Sequence, residues 1–234
     1  MAWVAGADGC KIGWFRVSRK LETGELRFDL VERVGALLLN APRPSVLAID
    51  IPIGLPDAGR RECDRRARRY LGPRRNSVFP APIRPALQAG TREAASRLTR
   101  SRDGRKVGAQ AWALYGKIRE VDELLQSSAE ARRCIIEAHP EVCFCAWAGG
   151  RPMTASKKRP GGRQERRKLV EAWLGPDVIG RARDGHLKKH LADDDILDSI
   201  ATLWTATRIA NDLASSLPAA PPLDSTGLPM RIVY

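Results

Sequence analysis

The chain has 234 residues, which is long enough for one large domain with a substantial buried core. Its hydrophobic content of 43% is typical of a globular protein, and no apolar stretch approaches the ~20 residues of a membrane-spanning helix. The composition therefore argues against a membrane protein, and the lack of a signal-peptide pattern predicts a cytoplasmic location. The five cysteines are odd in number and include no Cys-x-x-Cys pair, which argues against a disulfide framework and a zinc site.

The chain opens with the pattern of an antiparallel, three-stranded meander. Residues 3–8 form an apolar strand that ends on Asp8, and a short glycine-containing turn connects it to an alternating strand over 12–19. A second turn precedes another alternating strand over 26–30. These short connections predict that the three strands lie side by side in one sheet.

A short helix and a buried strand are predicted next. Apolar residues in 31–40 have helical spacing that stops before Pro42, and the apolar run 46–49 is typical of a strand buried on both faces. This strand ends on Asp50, and the prolines within 51–56 prevent the sheet from continuing there. A loop stiffened by prolines at the carboxyl end of a strand is a common place for a functional site.

The rest of the chain is predicted to be mainly helical. Its predicted helices cover 59–71, 106–127, 141–148, 163–174 and a segment that begins near Asp194; its predicted strands cover 133–137 and 228–234; its predicted loops are an ordered one over 72–85 and a mobile one over 149–162. One face of the last helix has small residues, which predicts a close approach to the end of a strand.

Carboxylates recur at the ends of these elements. Asp8, Asp50 and Glu137 each end an apolar strand, and the last helix opens with the acidic segment 193–198. If these segments converge, the carboxylates raise one another's pKa values, and a divalent cation is the usual compensation. Because hard oxygen ligands select Mg²⁺ or Mn²⁺, the pattern predicts a site for one of these metals.

These signals also have ordinary structural explanations. Aspartates favour turns, and acidic residues in the first turn of a helix interact well with the helix dipole. His139 follows Glu137 by two residues and is a candidate metal ligand or proton carrier. The interpretation we prefer for His139 is that it caps the following helix or bonds to the backbone.

Two basic clusters account for much of the formal charge of +13. Residues 60–75 contain eight arginines, and the second cluster covers 157–168. A solvated helix face would explain either cluster alone, but both together, beside a predicted acidic pocket, favour a polyanionic partner. The predicted nucleic-acid contacts are Arg65, Arg68, Arg69, Arg74, Arg75, Lys157 and Lys158.

The order of these elements is similar to that of the ribonuclease H-like fold. The similarity becomes specific in five segments: Gly6–Trp14, Ile49–Leu55, Asn76–Pro80, Glu137–Glu141 and Asp194–Ser199. Together they resemble the family catalogued as domain of unknown function 429, whose members are described as predicted ribonuclease H-like nucleases. The resemblance covers nearly the whole chain and implies an α/β fold with a mixed five-stranded sheet flanked by helices. It places one domain over residues 1–234, with a helical and loop insertion at about 56–130.

The resemblance also implies a metal site. In this arrangement Asp8 on the central strand bridges two metal ions, and Asp50 or Glu137 supplies further oxygens. The last helix matches an Asp-x-x-Asp pattern of Holliday-junction resolvases of this fold, and Asp194 competes with Asp195 as the first ligand of that pattern. The implied catalytic and metal-binding residues are Asp8, Asp50, Glu137, Asp195 and Asp198.

The expected activity is metal-dependent hydrolysis of phosphodiester bonds in DNA or RNA. Two divalent ions about 4 Å apart can activate a water molecule and stabilise the leaving oxygen in an in-line attack. The basic clusters are expected to hold the phosphate backbone without reading its sequence. A catalytically silent nucleic-acid-binding protein of the same fold is the main alternative. An actin-like or sugar-kinase-like phosphotransferase is less favoured, because the chain is too short for the two domains that such enzymes need.

Overall fold

The computed structural model describes residues 2–234 and is built on a five-stranded sheet with the order β3-β2-β1-β4-β5. The strands are β1 (Trp3–Cys10), β2 (Gly13–Lys20), β3 (Leu26–Val31), β4 (Val46–Ile49) and β5 (Ile135–Glu137). β1, β2 and β3 pair antiparallel, whereas β4 and β5 run parallel to β1. The mixed five-stranded sheet flanked by helices confirms the predicted fold class.

Helices flank this sheet. A short helix, α1 (Ala36–Leu39), connects β3 to β4. The segment between β4 and β5 contains α2 (Glu62–Leu71), a 3₁₀ turn (Gly72–Ser77), α3 (Arg84–Leu87), α4 (Arg92–Asp103), α5 (Ala109–Ala113), α6 (Tyr115–Ser127) and α7 (Ala129–Cys134). After β5 come α8 (Pro140–Trp147), α9 (Pro160–Leu174), α10 (Val178–Arg183) and α11 (Asp193–Ala210).

The two faces of the sheet build separate cores, because successive strand residues point to opposite sides. Ala7 of β1 and Ile49 of β4 pack into a core shared with α1 and α6. Val4 of β1 and Ala48 of β4 pack into a second core, which they share with α8 and α11. This alternation decides which of the residues at the strand ends face one another.

α11 lies unusually close to β1. A Cβ atom on Gly6 would lie 2.0 Å from the backbone nitrogen of Leu203 and 2.3 Å from the carbonyl oxygen of Ser199, so only glycine fits there. The hydroxyl of Thr202 is 3.5 Å from the carbonyl oxygen of Ala7. The small-residue face of the last helix therefore makes the close approach to a strand that its sequence predicts.

Several predicted boundaries in the helical segment differ from the structure. The helix expected over 106–127 is two helices, α5 and α6, and the loop expected over 72–85 contains the 3₁₀ turn and the start of α3. The sequence pattern did not predict α4, because this helix buries only Ala95 and Thr99 and so has no apolar stripe.

The predicted terminal strand over 228–234 is shorter than expected. Its strand, β7 (Ile232–Val233), pairs with β6 (Ser216–Leu217) in a separate two-stranded sheet. Pro229 lacks the N–H group that strand pairing needs, which limits extension towards the N-terminal side.

Within residues 2–234, no helix has both the length and the hydrophobicity that crossing a membrane requires.

Candidate metal centre

Three carboxylates meet at the carboxyl ends of β1 and β4. Asp8 directly follows the last parallel pair of these strands, Ala7 with Ile49, and the amide of Asp50 donates to the carbonyl of Ala7 at 3.1 Å. Asp198 comes from the second turn of α11. One oxygen of each carboxylate lies within 4.8 Å of the other two, so this group can bind a metal ion.

Strand alternation and helix packing explain why these three residues meet. Asp8 shares the side of β1 that carries Val4 and Gly6, and this side faces α11. Asp50 falls on the same side of the sheet, two residues after Ala48. Because α11 packs so closely on Gly6, Asp198 is brought to the strand ends, where it meets both carboxylates.

The three carboxylates are difficult to ionise together. Only 9% of Asp8 and 1% of Asp198 are exposed. Burial raises the pKa of Asp8 well above its ordinary value, and the charges of Asp50 and Asp198 raise it further. Burial also raises the pKa of Asp50 to about 6, although the adjacent imidazole of His139 opposes the shift. Ionisation of all three carboxylates together therefore requires a compensating cation.

Lys157 supplies a positive charge to the cluster. Its ammonium group donates to Oδ2 of Asp198. Burial alone would lower the pKa of Lys157, but the attraction of Asp198 and Asp8 raises it well above its ordinary value. The other oxygen of Asp198, Oδ1, is buried and has no hydrogen-bond partner among residues 2–234. A buried carboxylate oxygen without a protein partner can serve as a metal ligand, so the donor set fits a hard divalent cation.

A buried ion pair fixes the loop that carries Lys157. The guanidinium of Arg166, which is fully buried, forms two hydrogen bonds of 2.6 and 2.9 Å to Oε1 of Glu141. It also donates to the carbonyls of Ala155 and Gly162 at 3.1 and 2.6 Å. The segment expected to be a mobile loop is thus anchored on both sides of Lys157, and α9 begins within it at Pro160.

Glu137 lines a cavity together with the three carboxylates but does not belong to their group. Its register partner is Ile49, whose side chain faces the other core, so alternation directs Glu137 away from Asp50. Oε2 and Oε1 of Glu137 accept hydrogen bonds from Arg61 at 2.6 and 2.8 Å, and the amide of Ile53 donates to Oε2 at 2.6 Å. Arg61 also pairs with Asp64 at 2.6 Å. Glu137 thus anchors the proline-rich loop after β4 through Arg61.

Of the acidic residues in the first turns of α11, the three-carboxylate group includes only Asp198. Asp195 accepts a hydrogen bond from the amide of Ala192 at 2.8 Å, as a capping residue does. Burial raises the pKa values of both Asp194 and Asp195, and Asp198 raises them further. These two carboxylates therefore add negative charge close to the cluster without joining it.

His139 does not cap α8 through its side chain. Its Nε2 atom lies 3.3 Å from the carbonyl oxygen of Ser77, which agrees with the predicted bond to the backbone. Nδ1 of His139 and Nε of Arg74 are both buried and have no hydrogen-bond partner among the described residues. Both residues line a cavity of about 480 Å³ that also includes the three carboxylates.

The predicted nucleic-acid contacts occupy different environments. Arg74, Lys157 and Lys158 line the cavity. Arg68 is held within the fold, because it donates to the carbonyl of Val78 at 2.8 Å. The predicted contacts that point into solvent are Arg65, Arg69, Arg75 and Lys158.

Sequence reasoning missed two further residues of the cavity wall, Phe79 and Lys117. Lys117 donates to the carbonyl of Gly13 at 2.5 Å and lies 4.6 Å from the centre of the Trp14 ring. It lies in the predicted helix 106–127, and nothing in the local sequence marks it as a residue of the cavity. For Phe79, the available signal was the presence of a phenylalanine in the segment 76–80.

The fold and the cluster together define an α/β protein with a buried carboxylate site that can bind a metal ion. Residues 6–223 match the family described as Protein of unknown function (DUF429), and the chain belongs to this family. No curated protein and no solved structure shows significant similarity to the chain.

Proposed function

We propose that this protein is a nuclease that hydrolyses phosphodiester bonds in nucleic acid with Mg²⁺ or Mn²⁺. The observation that carries the proposal is the buried, unpartnered Oδ1 of Asp198 beside the carboxylates of Asp8 and Asp50. An acidic cluster alone is common, but a desolvated carboxylate oxygen without a protein partner is well suited to binding a cation. An all-oxygen donor set favours Mg²⁺ or Mn²⁺ over softer metals.

The carboxylates would hold the metal, and the metal would supply charge stabilisation for a phosphate group. The chain's own cations have separate tasks. Lys157 balances the charge of the carboxylates, and Lys158 presents an exposed ammonium group to the substrate. Nε of Arg74 has no hydrogen-bond partner among residues 2–234, and its ion pair with Oε2 of Glu141 is long, at 3.8 Å, which leaves the guanidinium able to bind a phosphate oxygen.

His139 supplies a group that can accept a proton. With the Nε2 hydrogen directed at the carbonyl of Ser77, Nδ1 of the neutral ring is an acceptor. Nδ1 is buried and unpartnered within the described chain, and His139 lines the cavity that contains the carboxylates. It is therefore available to take the proton of the water molecule that attacks phosphorus.

Cleavage assays test the proposal directly. Wild-type protein and Asp8→Asn are incubated with Mg²⁺ or Mn²⁺ and labelled single-stranded, duplex, branched and RNA–DNA hybrid substrates. We expect the wild type to cleave at least one substrate, EDTA to stop the reaction, and Asp8→Asn to bind without cleaving. If the wild type binds these substrates but cleaves none of them, the silent-binder alternative is favoured; equal rates for both proteins would overturn the metal site.

A further inference from the structure

The cavity has an apolar wall in addition to the charged residues around the carboxylates. Residues from segments far apart in the sequence form this wall: Ile51, Pro52, Pro73, Val78, Phe79 and Leu114. Phe79 and Leu114 are unusual among them, because 49% and 37% of these large apolar residues are exposed. A metal and a phosphate need no such surface, so the wall indicates that part of the ligand is apolar and flat or compact.

The size of the cavity limits the ligand. A volume of about 480 Å³ falls within the ~300–1,000 Å³ range of pockets that enclose one small molecule. Its wall comes from the 3₁₀ turn, the start of α6 and the loop that carries Lys157, all of which stand around the carboxylates. This size suits one nucleotide and not the full width of a base-paired duplex.

The polar atoms of the cavity suit the remaining parts of a nucleotide. Nε of Arg74 is a buried donor that makes no hydrogen bond among the described residues and only a long ion pair of 3.8 Å with Glu141, and Lys158 is exposed at the same cavity. Both match the charge of a phosphate group, whereas Phe79 offers an aromatic ring on which a base can stack. Aromatic residues are scarce in both basic clusters, so the stacking surface is a single position and not an extended platform.

We infer that the cavity binds one unpaired nucleotide, with its phosphate at the carboxylate site and its base against Phe79. This inference rests on the proposed function and names its substrate class. The nucleotide is either free or the unpaired end or extruded unit of a strand. In a duplex, stacking covers the faces of the base and pairing covers its edge, so a blunt duplex must first unstack and unpair, which costs a few kcal/mol.

The test measures binding separately from cleavage. A short single strand that contains 2-aminopurine is mixed with protein and Mg²⁺ in a stopped-flow fluorimeter, and the same samples are later run on a gel. We expect the single strand to bind at least about tenfold more tightly than a blunt duplex of equal length and to lose fluorescence through stacking. The mononucleotide of 2-aminopurine distinguishes the two sources: equal affinity points to free nucleotides, and weaker affinity points to a strand.

Variants of the aromatic residue make the test specific. Phe79→Ala should weaken single-strand binding about tenfold and abolish the fluorescence loss, whereas Phe79→Trp should retain both. Leu213→Ala is the control, because Leu213 is 60% exposed and does not line the cavity. Equal affinities for duplex and single strand, or unchanged binding by Phe79→Ala, would overturn the inference even if cleavage is observed. Binding without cleavage would contradict the proposed function and leave this inference standing.

Discussion

At the scale of single residues, Lys157 has the greatest influence on the charge of the carboxylate cluster. Its ammonium group neutralises Asp198 and lowers the cost of holding Asp8 and Asp50 in the same buried place. A metal ion at these carboxylates would take over that role, so the lysine and the metal compete for the same negative charge.

We therefore predict that Lys157→Met increases the affinity of the site for Mn²⁺ by about tenfold. One opposite charge at ~4 Å is worth about 1–4 kcal/mol near a protein surface, and the methionine removes it while keeping the length of the side chain. Isothermal titration calorimetry measures the change. Lys158→Met is the matched control, because Lys158 is the adjacent exposed lysine and forms no ion pair among residues 2–234. Equal affinities in both variants would show that Lys157 is not a competitor.

Asp50 gives a prediction that depends on pH. In the folded, metal-free protein its pKa is raised to about 6, whereas in the unfolded chain an aspartate titrates near its ordinary value. The folded state therefore binds more protons between these values, and the free energy of unfolding falls as the pH rises from about 4 to about 6. In EDTA, Asp50→Asn should be more stable than the wild type by on the order of 1–2 kcal/mol at pH 7.5, with no such gain at pH 4.

Urea unfolding at the two pH values measures this difference, and Mn²⁺ titration should show loss of metal binding in the same variant. Glu137→Gln is the carboxylate control. Because Glu137 is bound to Arg61, this variant should lose about 3 kcal/mol of stability and keep its Mn²⁺ affinity. A stability gain that is the same at both pH values, or loss of metal binding in Glu137→Gln, would contradict these assignments.

At the scale of elements, the contact between α11 and β1 assembles the site. Gly6→Ala would place a methyl group 2.0 Å from the backbone nitrogen of Leu203, and backbone cannot turn aside as a side chain does. The helix would have to move away from the strand, which separates Asp198 from Asp8. We predict a loss of about 3 kcal/mol in the free energy of unfolding, together with loss of Mn²⁺ binding.

The matched control for Gly6→Ala is Gly116→Ala in α6. A Cβ atom at Gly116 meets nothing within 4 Å, and replacing a helical glycine by alanine stabilises a helix by up to about 1 kcal/mol. Chemical denaturation compares the two variants. Similar effects of both substitutions would show that the close approach of α11 is not needed.

The elements also show what the sequence could predict. Apolar strands that end on Asp8 and Asp50, and a last helix with a small-residue face, are local patterns, and the structure contains all of them. The position of Glu137 depends instead on the register of β5 against β4, which a local pattern does not specify. Its partner Arg61 is 76 residues away in the chain, and within a run of arginines nothing marks this one as buried.

The basic loop shows the same limit. Lys157 and Lys158 are adjacent and were both predicted to contact nucleic acid. Only Lys157 reaches Asp198, because Arg166 holds the loop against Glu141. That arrangement depends on the packing of α9 on α8, so the difference between the two lysines follows from tertiary structure alone.

At the scale of the whole molecule, the formal charge of +13 should govern the affinity for nucleic acid. Binding that releases counterions weakens with salt, with a log-log slope of about −0.9 for each duplex phosphate neutralised and about −0.7 for a single strand. Fluorescence anisotropy on unrelated sequences measures the slope. Substitution of the exposed arginines of α2 shows whether this surface contributes to the slope.

Charge reversal of two of these residues, Arg65→Glu with Arg69→Glu, should weaken binding alike for all sequences and reduce the slope by about 2. The control is Arg97→Glu, an exposed arginine of α4 outside both basic clusters, which should leave the slope unchanged. A flat salt dependence, or equal effects of both changes, would contradict a nucleic-acid surface at α2.

A crystal structure with Mn²⁺ shows whether Asp8, Asp50 and Asp198 form a metal centre. Anomalous scattering locates manganese without reference to any assumed chemistry. We predict a peak bonded to oxygens of all three carboxylates, including the unpartnered Oδ1 of Asp198, with the ammonium group of Lys157 moved away from Asp198. A manganese-free cluster in crystals grown at millimolar Mn²⁺, with Lys157 still paired to Asp198, would show that the three carboxylates do not form a metal centre.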